Sequence, residues 1–190
     1  MFTTALITPA RMTEVVDAAA FIDFEASGLM PGSFPVEAGW AIARRGRRKP
    51  LASGMLIRHD PWMQRVDLWD PLAVDIHHID RRALMMLGKH ASVVAQAMAD
   101  ALKDFPVVFS DNGEWDGRWC RMLFDAAGVP MPFQVKDWRV VFNDGPDTDE
   151  VEFERLHAKG ELFKIAPRTH RAKDDAFSMA MLWWLTRRKG

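Results

Sequence analysis

Four carboxylates and one histidine, spread over three short pieces of the chain, carry the most chemical potential in this sequence. Asp23 and Glu25 lie in FIDFEASGL, Asp116 in FSDNGEWDGRW, and His170 and Asp175 in HRAKDDA. Asp23 and Glu25 are two apart at the end of an apolar run that reads as a strand. Alternation therefore puts both on one face and Phe24 on the other. Paired hard oxygen donors suit Mg²⁺ or Mn²⁺ rather than a soft metal. Alone, an Asp-x-Glu triplet reads as two solvated acids, but on a central apolar strand an uncompensated pair is costly. Asp116 opens a helix directly after a short strand. A helix-cap acid is the plain reading there, and a site at the carboxyl end of the strand is the functional one. His170 sits on a loop before the last helix, and an imidazole with an ordinary pKa of about 6.5 can take a proton from water near neutral pH. Asp175 shares a helical face with Ala172, Ala176 and Met179, and the small alanines allow close approach to a sheet. Asp174 reads as solvated. Together these residues describe a site that could hold two divalent metals and activate a water, the chemistry that breaks phosphodiester bonds.

These residues need elements to position them. Strands are expected at Ala20–Phe24, Val36–Ala43 and Leu51–Ile57, the last two joined as a hairpin by the turn RRGRRK. A Trp- and Pro-rich connection follows, then helices at Asp80–Leu87 and Ala91–Leu102. A short buried strand is expected at Val107–Ser110, a helix at Trp115–Ala127 ended by Gly128 and Pro130, and a fifth strand at Val135–Phe142. Helices at Thr148–Lys159 and Arg171–Arg188 complete the chain. A meander followed by alternating helices and strands predicts an α/β fold: a mixed five-stranded sheet of ribonuclease H-like order with helices on both faces.

Composition narrows the function. The chain has 190 residues, 48% hydrophobic and 27% charged, enough for one domain with a real core. Residues 1–17 read as a loose leader and 18–190 as the domain. With a net charge of -1 the chain lacks the broad basic surface of a non-specific nucleic-acid binder, so any hold on a polyanion must be local or come from bound metal. A single cysteine, Cys120, excludes an internal disulfide and fits a reducing, cytoplasmic compartment; it reads as a small buried helix residue. No apolar run is long enough to span a membrane, and Asp17 breaks any signal-like segment.

The three motifs together resemble the DEDD 3'–5' exonucleases, in the branch with a histidine in the third motif (DEDDh). FIDFEASGL is similar to its first motif, Asn112 to Asp116 to its second, and HRAKDDA to its third, so that the likeness runs over residues 19–185. The resemblance implies that Asp23, Glu25, Asp116 and Asp175 hold two divalent metals, Mg²⁺ or Mn²⁺, and that His170 is the general base. It implies a substrate, the 3' end of single-stranded DNA or RNA, held by Ser27, Gly28 and Leu29, with His78, Ile79 and Asn112 nearby. It departs from the family pattern at Asp111, where a histidine is usual, at Trp115, where phenylalanine is usual, and in His77-His78-Ile79-Asp80.

Plainer readings apply elsewhere. RRGRRK could touch a phosphate backbone, but as a hairpin tip it reads as a solvated turn. Trp115 and Trp119, spaced i, i+4, read as packing under the second motif. Trp183 and Trp184 read as core or dimer contacts, and the apolar last helix suggests a homodimer. A non-catalytic binder of nucleic-acid ends, or a phosphodiesterase for dinucleotides, stays open as an alternative.

Overall fold

A computed structural model describes residues 17–143 and 169–186, so the expected leader up to residue 16 and the helix expected at Thr148–Lys159 lie outside the described residues. Strands β1 (Ala18–Ala26), β2 (Pro35–Arg44) and β3 (Leu51–Arg58) form the antiparallel meander. Then come α1 (Asp60–Met63), a 3₁₀ turn (Val66–Leu68), α2 (Pro71–His77) and α3 (Arg81–Leu87). They are followed by β4 (Lys89–His90), α4 (Ala91–Leu102), β5 (Val107–Ser110), α5 (Gly113–Ala127), β6 (Gln134–Asp137), α6 (Arg139–Asn143) and α7 (Ala172–Thr186). The sheet order is β4-β3-β2-β1-β5-β6, with β5 and β6 parallel to β1.

Two corrections to the expected sheet follow. It has six strands, not five, because the pair Lys89–His90 adds parallel to the edge of β3. Two residues are too short to show alternation. The strand expected at Val135–Phe142 stops at Asp137 and the chain turns into α6. Asp137 makes that turn: its carboxylate accepts from the Arg139 amide at 2.9 Å and from the Arg139 guanidinium. The Trp- and Pro-rich connection is not a plain loop either. Asp-Pro starts two of its helices, and Asp70 caps α2 by accepting from the Leu72 amide.

Strand alternation divides the core. Ala20, Ile22 and Phe24 of β1 face α4 and α5, packing with Met98, Leu102, Trp119, Leu123 and Phe124. Ala19 and Phe21 face the other way, toward Ala176, Ala180 and Trp183 of α7. Cys120 is fully buried on α5, as read from the sequence. A third apolar cluster, including Phe34, Val36, Leu68, Ile79 and Leu84, anchors the segment between β3 and β4. Trp183 is buried in the chain's own core, and Trp184 is half-buried and donates to the Arg47 carbonyl. The core reading of Trp183 therefore holds, while Trp184 keeps part of its surface exposed. Among the described residues no helix is long and apolar enough to cross a membrane.

Asp23 and Glu25 fall on the α7 side of β1. Close seating of α7 there depends on the sheet as much as on the alanines. A Cβ on Gly39 of β2 would lie 2.1 Å from the Ala172 backbone, and one on Gly54 of β3 would lie 2.7 Å from Lys173 Cβ. Gly39 pairs with Asp23 across the β1–β2 ladder, so the closest approach of helix to sheet occurs beside the acids.

Candidate functional site

Each of the three motifs ends at the same edge of the central strands. β1 brings Asp23 and Glu25; α5, starting just beyond the carboxyl end of the neighbouring β5, brings Asp116; the entry to α7 brings His170 and Asp175. Two sets of ligand atoms result. Those of Asp23, Asp111 and Asp116 all lie within 4.8 Å of one another, and so do those of Glu25, His170 and Asp175. Asp111 was not foreseen as a donor. Its signal in the sequence was only its place next to Asn112, where the family pattern has a histidine.

Burial raises the pKa of two of these acids. Asp116 is 3% exposed, and burial pushes its carboxyl up to about 7, against the opposing bonds from the Ser110 hydroxyl and the Phe24 backbone. Glu25 is pushed up to about 8, first by burial, then by the charges of Asp175, Glu37 and Asp116, with Arg171 pulling the other way. At Glu25 the neighbouring negative charges add to burial, and a bound cation there would be favourable. Oxygen-rich groups of this kind fit hard divalent cations. Asp23, Glu25, Asp116 and Asp175, with Asp111, are therefore a donor set suited to Mg²⁺ or Mn²⁺.

Local bonds fix the third motif. Asp175, 9% exposed, accepts from the Thr169 amide at 3.0 Å, while Asp174 is exposed. His170 is exposed on its loop, with a left-handed backbone (φ 52°).

The expected substrate contacts divide by exposure. Leu29 is 66% exposed beside the acids' strand, free to meet a ligand. Ser27 is fully buried: its hydroxyl accepts from the Phe34 amide at 3.1 Å and its own amide donates to the Phe34 carbonyl, closing the loop 27–34. Gly28 is buried against Asp70, whose Cβ would stand 2.9 Å from a Cβ at that position. Ile79 is 2% exposed in the third apolar cluster. The Ser27 and Ile79 side chains are thus both built into the walls of these loops. Asn112 is an exposed helix cap whose side chain makes no capping bond, and His78 is exposed, ending α2 in a left-handed conformation. His77 is buried and ties two walls together. Its Nε2 donates to the Ala26 carbonyl at 3.1 Å and its Nδ1 accepts from the Ile79 amide, and burial lowers its pKa, which suits the neutral ring that these bonds require. Trp115 and Trp119 do pack together, with ring centroids 5.4 Å apart.

The geometry defines an α/β domain with acids gathered where its antiparallel and parallel strands meet. No family description and no curated protein matches this sequence. Solved structures do share the fold. E. coli Exonuclease I in complex with a dT13 oligonucleotide superposes with a TM-score of 0.62 at 16% identity, covering 91% of this chain and 42% of that one. The zinc-bound form of the E. coli ExoI–ssDNA complex gives 0.62 at 16% identity, over 91% and 41%. Exonuclease I from Methylocaldum szegediense, described as moderately thermophilic, gives 0.62 at 14% identity, over 91% and 41%. The chain thus spans about two-fifths of the length of these structures, and it has the ribonuclease H-like fold expected from its sequence.

Proposed function

We propose that this chain is a metal-dependent 3'–5' exonuclease of the DEDDh superfamily, acting on the 3' end of single-stranded DNA or RNA. The observation that carries this reading is the convergence, from three distant motifs, of two three-residue donor groups that contain all four expected acids and the expected base. Its support from the comparisons is a shared fold with Exonuclease I structures solved with oligonucleotides. Two divalent ions, Mg²⁺ or Mn²⁺, would supply Lewis-acid stabilisation of the attacking and leaving oxygens. Asp23, Glu25, Asp116 and Asp175 would hold them, with Asp111 beside the first group. His170 takes the proton from the attacking water. The water oxygen bonds to phosphorus, the P–O3' bond breaks, the 3'-oxygen left on the shortened strand takes a proton from solvent, and the terminal nucleotide departs as a nucleoside 5'-monophosphate. Leu29 provides an apolar contact for the terminal base.

The test is a panel of 5'-labelled and 3'-labelled DNA and RNA oligomers with Mn²⁺, Mg²⁺ or EDTA. Expected are a ladder shortening from the 3' end and immediate release of a labelled mononucleotide from 3'-labelled strands, both abolished by EDTA. His170→Ala is expected to lower turnover by about 10²–10⁴-fold while leaving metal-induced stabilisation in place. Full activity after exhaustive chelation, or internal cleavage, refutes the reading; cleavage confined to dinucleotides replaces the polymer by a small phosphodiester.

A further inference from the structure

We propose that Glu37 is a positioning residue for His170, acting through Arg171. The inference rests on His170 being the base. Glu37 sits within β2, opposite Glu25 in the ladder and on the same face, and it is 4% exposed. An acid so buried must be compensated. It is, by three donors from the residues that follow His170. Arg171 Nη2 donates to Glu37 Oε1 at 2.6 Å, Arg171 Nε to Oε2 at 3.0 Å, and the Ala172 amide to Oε2 at 3.0 Å. Glu37 lies beside the acidic groups, yet it belongs to neither set of candidate metal donors. Its oxygens are spent on the chain instead.

Those bonds bear on a backbone that needs holding. His170 has φ 52°, a left-handed conformation that a residue with a Cβ adopts at a steric cost. On its amino side the Thr169 amide is held by Asp175, and on its carboxyl side Arg171 and Ala172 are held by Glu37. Ala172 in turn rests on Gly39, which admits no side chain. Residue 170 is therefore clamped at both ends, while its exposed imidazole reaches to within 4.8 Å of the Glu25 and Asp175 ligand atoms. The bidentate fork between a planar guanidinium and a carboxylate fixes direction as well as distance. A base misplaced by about 1 Å can lose about 10²-fold in rate.

The experiment compares Glu37→Ala, Arg171→Lys and each combined with His170→Ala, measuring kcat, KM and the rise in Tm on adding Mn²⁺. Arg171→Lys keeps the charge and loses the fork, and its half-exposed side chain makes misfolding no obstacle. Glu37→Ala is expected to lower kcat by about 10²-fold, with KM and the Mn²⁺ effect close to wild type. Arg171→Lys should follow it in the same direction. In the His170→Ala background neither change should lower kcat further. Amide exchange at residues 169–172 should quicken in Glu37→Ala, with β1 and α4 still protected. Wild-type kcat in both variants, a loss that multiplies with that of His170→Ala, or a loss of the Mn²⁺ effect overturns the proposal. If the wild-type protein degrades no oligomer, the exonuclease reading fails and the clamp is judged on exchange alone: unchanged exchange at 169–172 overturns it, and faster exchange supports it.

Discussion

Removing metal should make the stability of this protein fall as pH rises, and Glu25→Gln should remove most of that fall. In the fold Glu25 holds its proton up to about 8, against 4.5 for an ordinary glutamate. Burial is the first cause, and the facing groups are Asp175, Glu37 and Asp116, with Asp23 and His170 also at the site and Arg171 opposing. Because the folded pKa is raised, the folded state binds a proton that the unfolded chain has already lost between those two values. Stability is therefore complete below the ordinary pKa and declines as pH climbs toward about 8. Buried His77 and partly buried His59 have lowered pKa values and act in the opposite direction, adding stability as pH rises toward 6.5. The useful window is thus pH 6.5 to 8, a span of about 1.5 pH units. At about 1.4 kcal/mol per unit this comes to about 2 kcal/mol from Glu25. Asp116, raised to about 7, acts in the same direction at the lower end. For a chain of this size about 2 kcal/mol corresponds to a Tm change of about 4–8 °C.

The assay is scanning calorimetry in EDTA across that window, for wild type and Glu25→Gln, whose amide imitates the protonated acid. Wild type should lose those degrees and the variant should stay nearly flat. Saturating Mn²⁺ should abolish the wild-type decline, since cation binding needs the deprotonated carboxylates and releases their protons. At 100 times Kd the metal would itself add about 2.7 kcal/mol. Parallel Tm curves for the two proteins in EDTA would refute the charge state assigned to Glu25.

Three other perturbations probe separate parts of the argument. Gly39→Ala places a Cβ 2.1 Å from the Ala172 backbone, so α7 must shift; denaturant unfolding should show a loss of about 1–3 kcal/mol, accompanied by a fall in exonuclease rate. Ser27→Ala strips the buried Phe34 amide of its acceptor and should cost about 1–3 kcal/mol in the same assay, a loss that no substrate-only role would produce. Leu29→Ala changes an exposed side chain, so steady-state kinetics on labelled oligomers should show a raised KM at unchanged stability.

The parts of this architecture that were legible in the sequence are those with a repeating or punctuated pattern. α4 and β5 have the bounds expected from their apolar runs, and α3 begins one residue after Asp80, which caps it by accepting from the Ala83 amide. β4 and α6 were not legible because each is too short for a period to register. Of the site, the motif acids could be named, but their neighbours could not. Glu37 had one local sign, an acid in the middle of the apolar strand PVEAGWA, and its partner lies 134 residues away in sequence. Asp111 looked like a deviation from a motif, and its approach to Asp23 exists only once β1 and β5 are paired. Ser27 and Ile79 carried a recognisable motif position but no clue to burial, which depends on Phe34 and on the third apolar cluster.

Asp111 also bears on how a chain with a net charge of -1 can engage a polyanion. With it the described site gathers five acids where the resemblance implies four, and the Arg171 guanidinium beside them is already engaged by Glu37. Without cations such a surface repels phosphate, so the basic patch usual in nucleic-acid binders would have to be opposed by the site itself. The burial that raises Glu25 and Asp116, joined at Glu25 by neighbouring negative charge, makes cation binding favourable, and bound cations would reverse the sign of the local field. On the exonuclease reading, metal binding and recognition of the strand end would then be one electrostatic event.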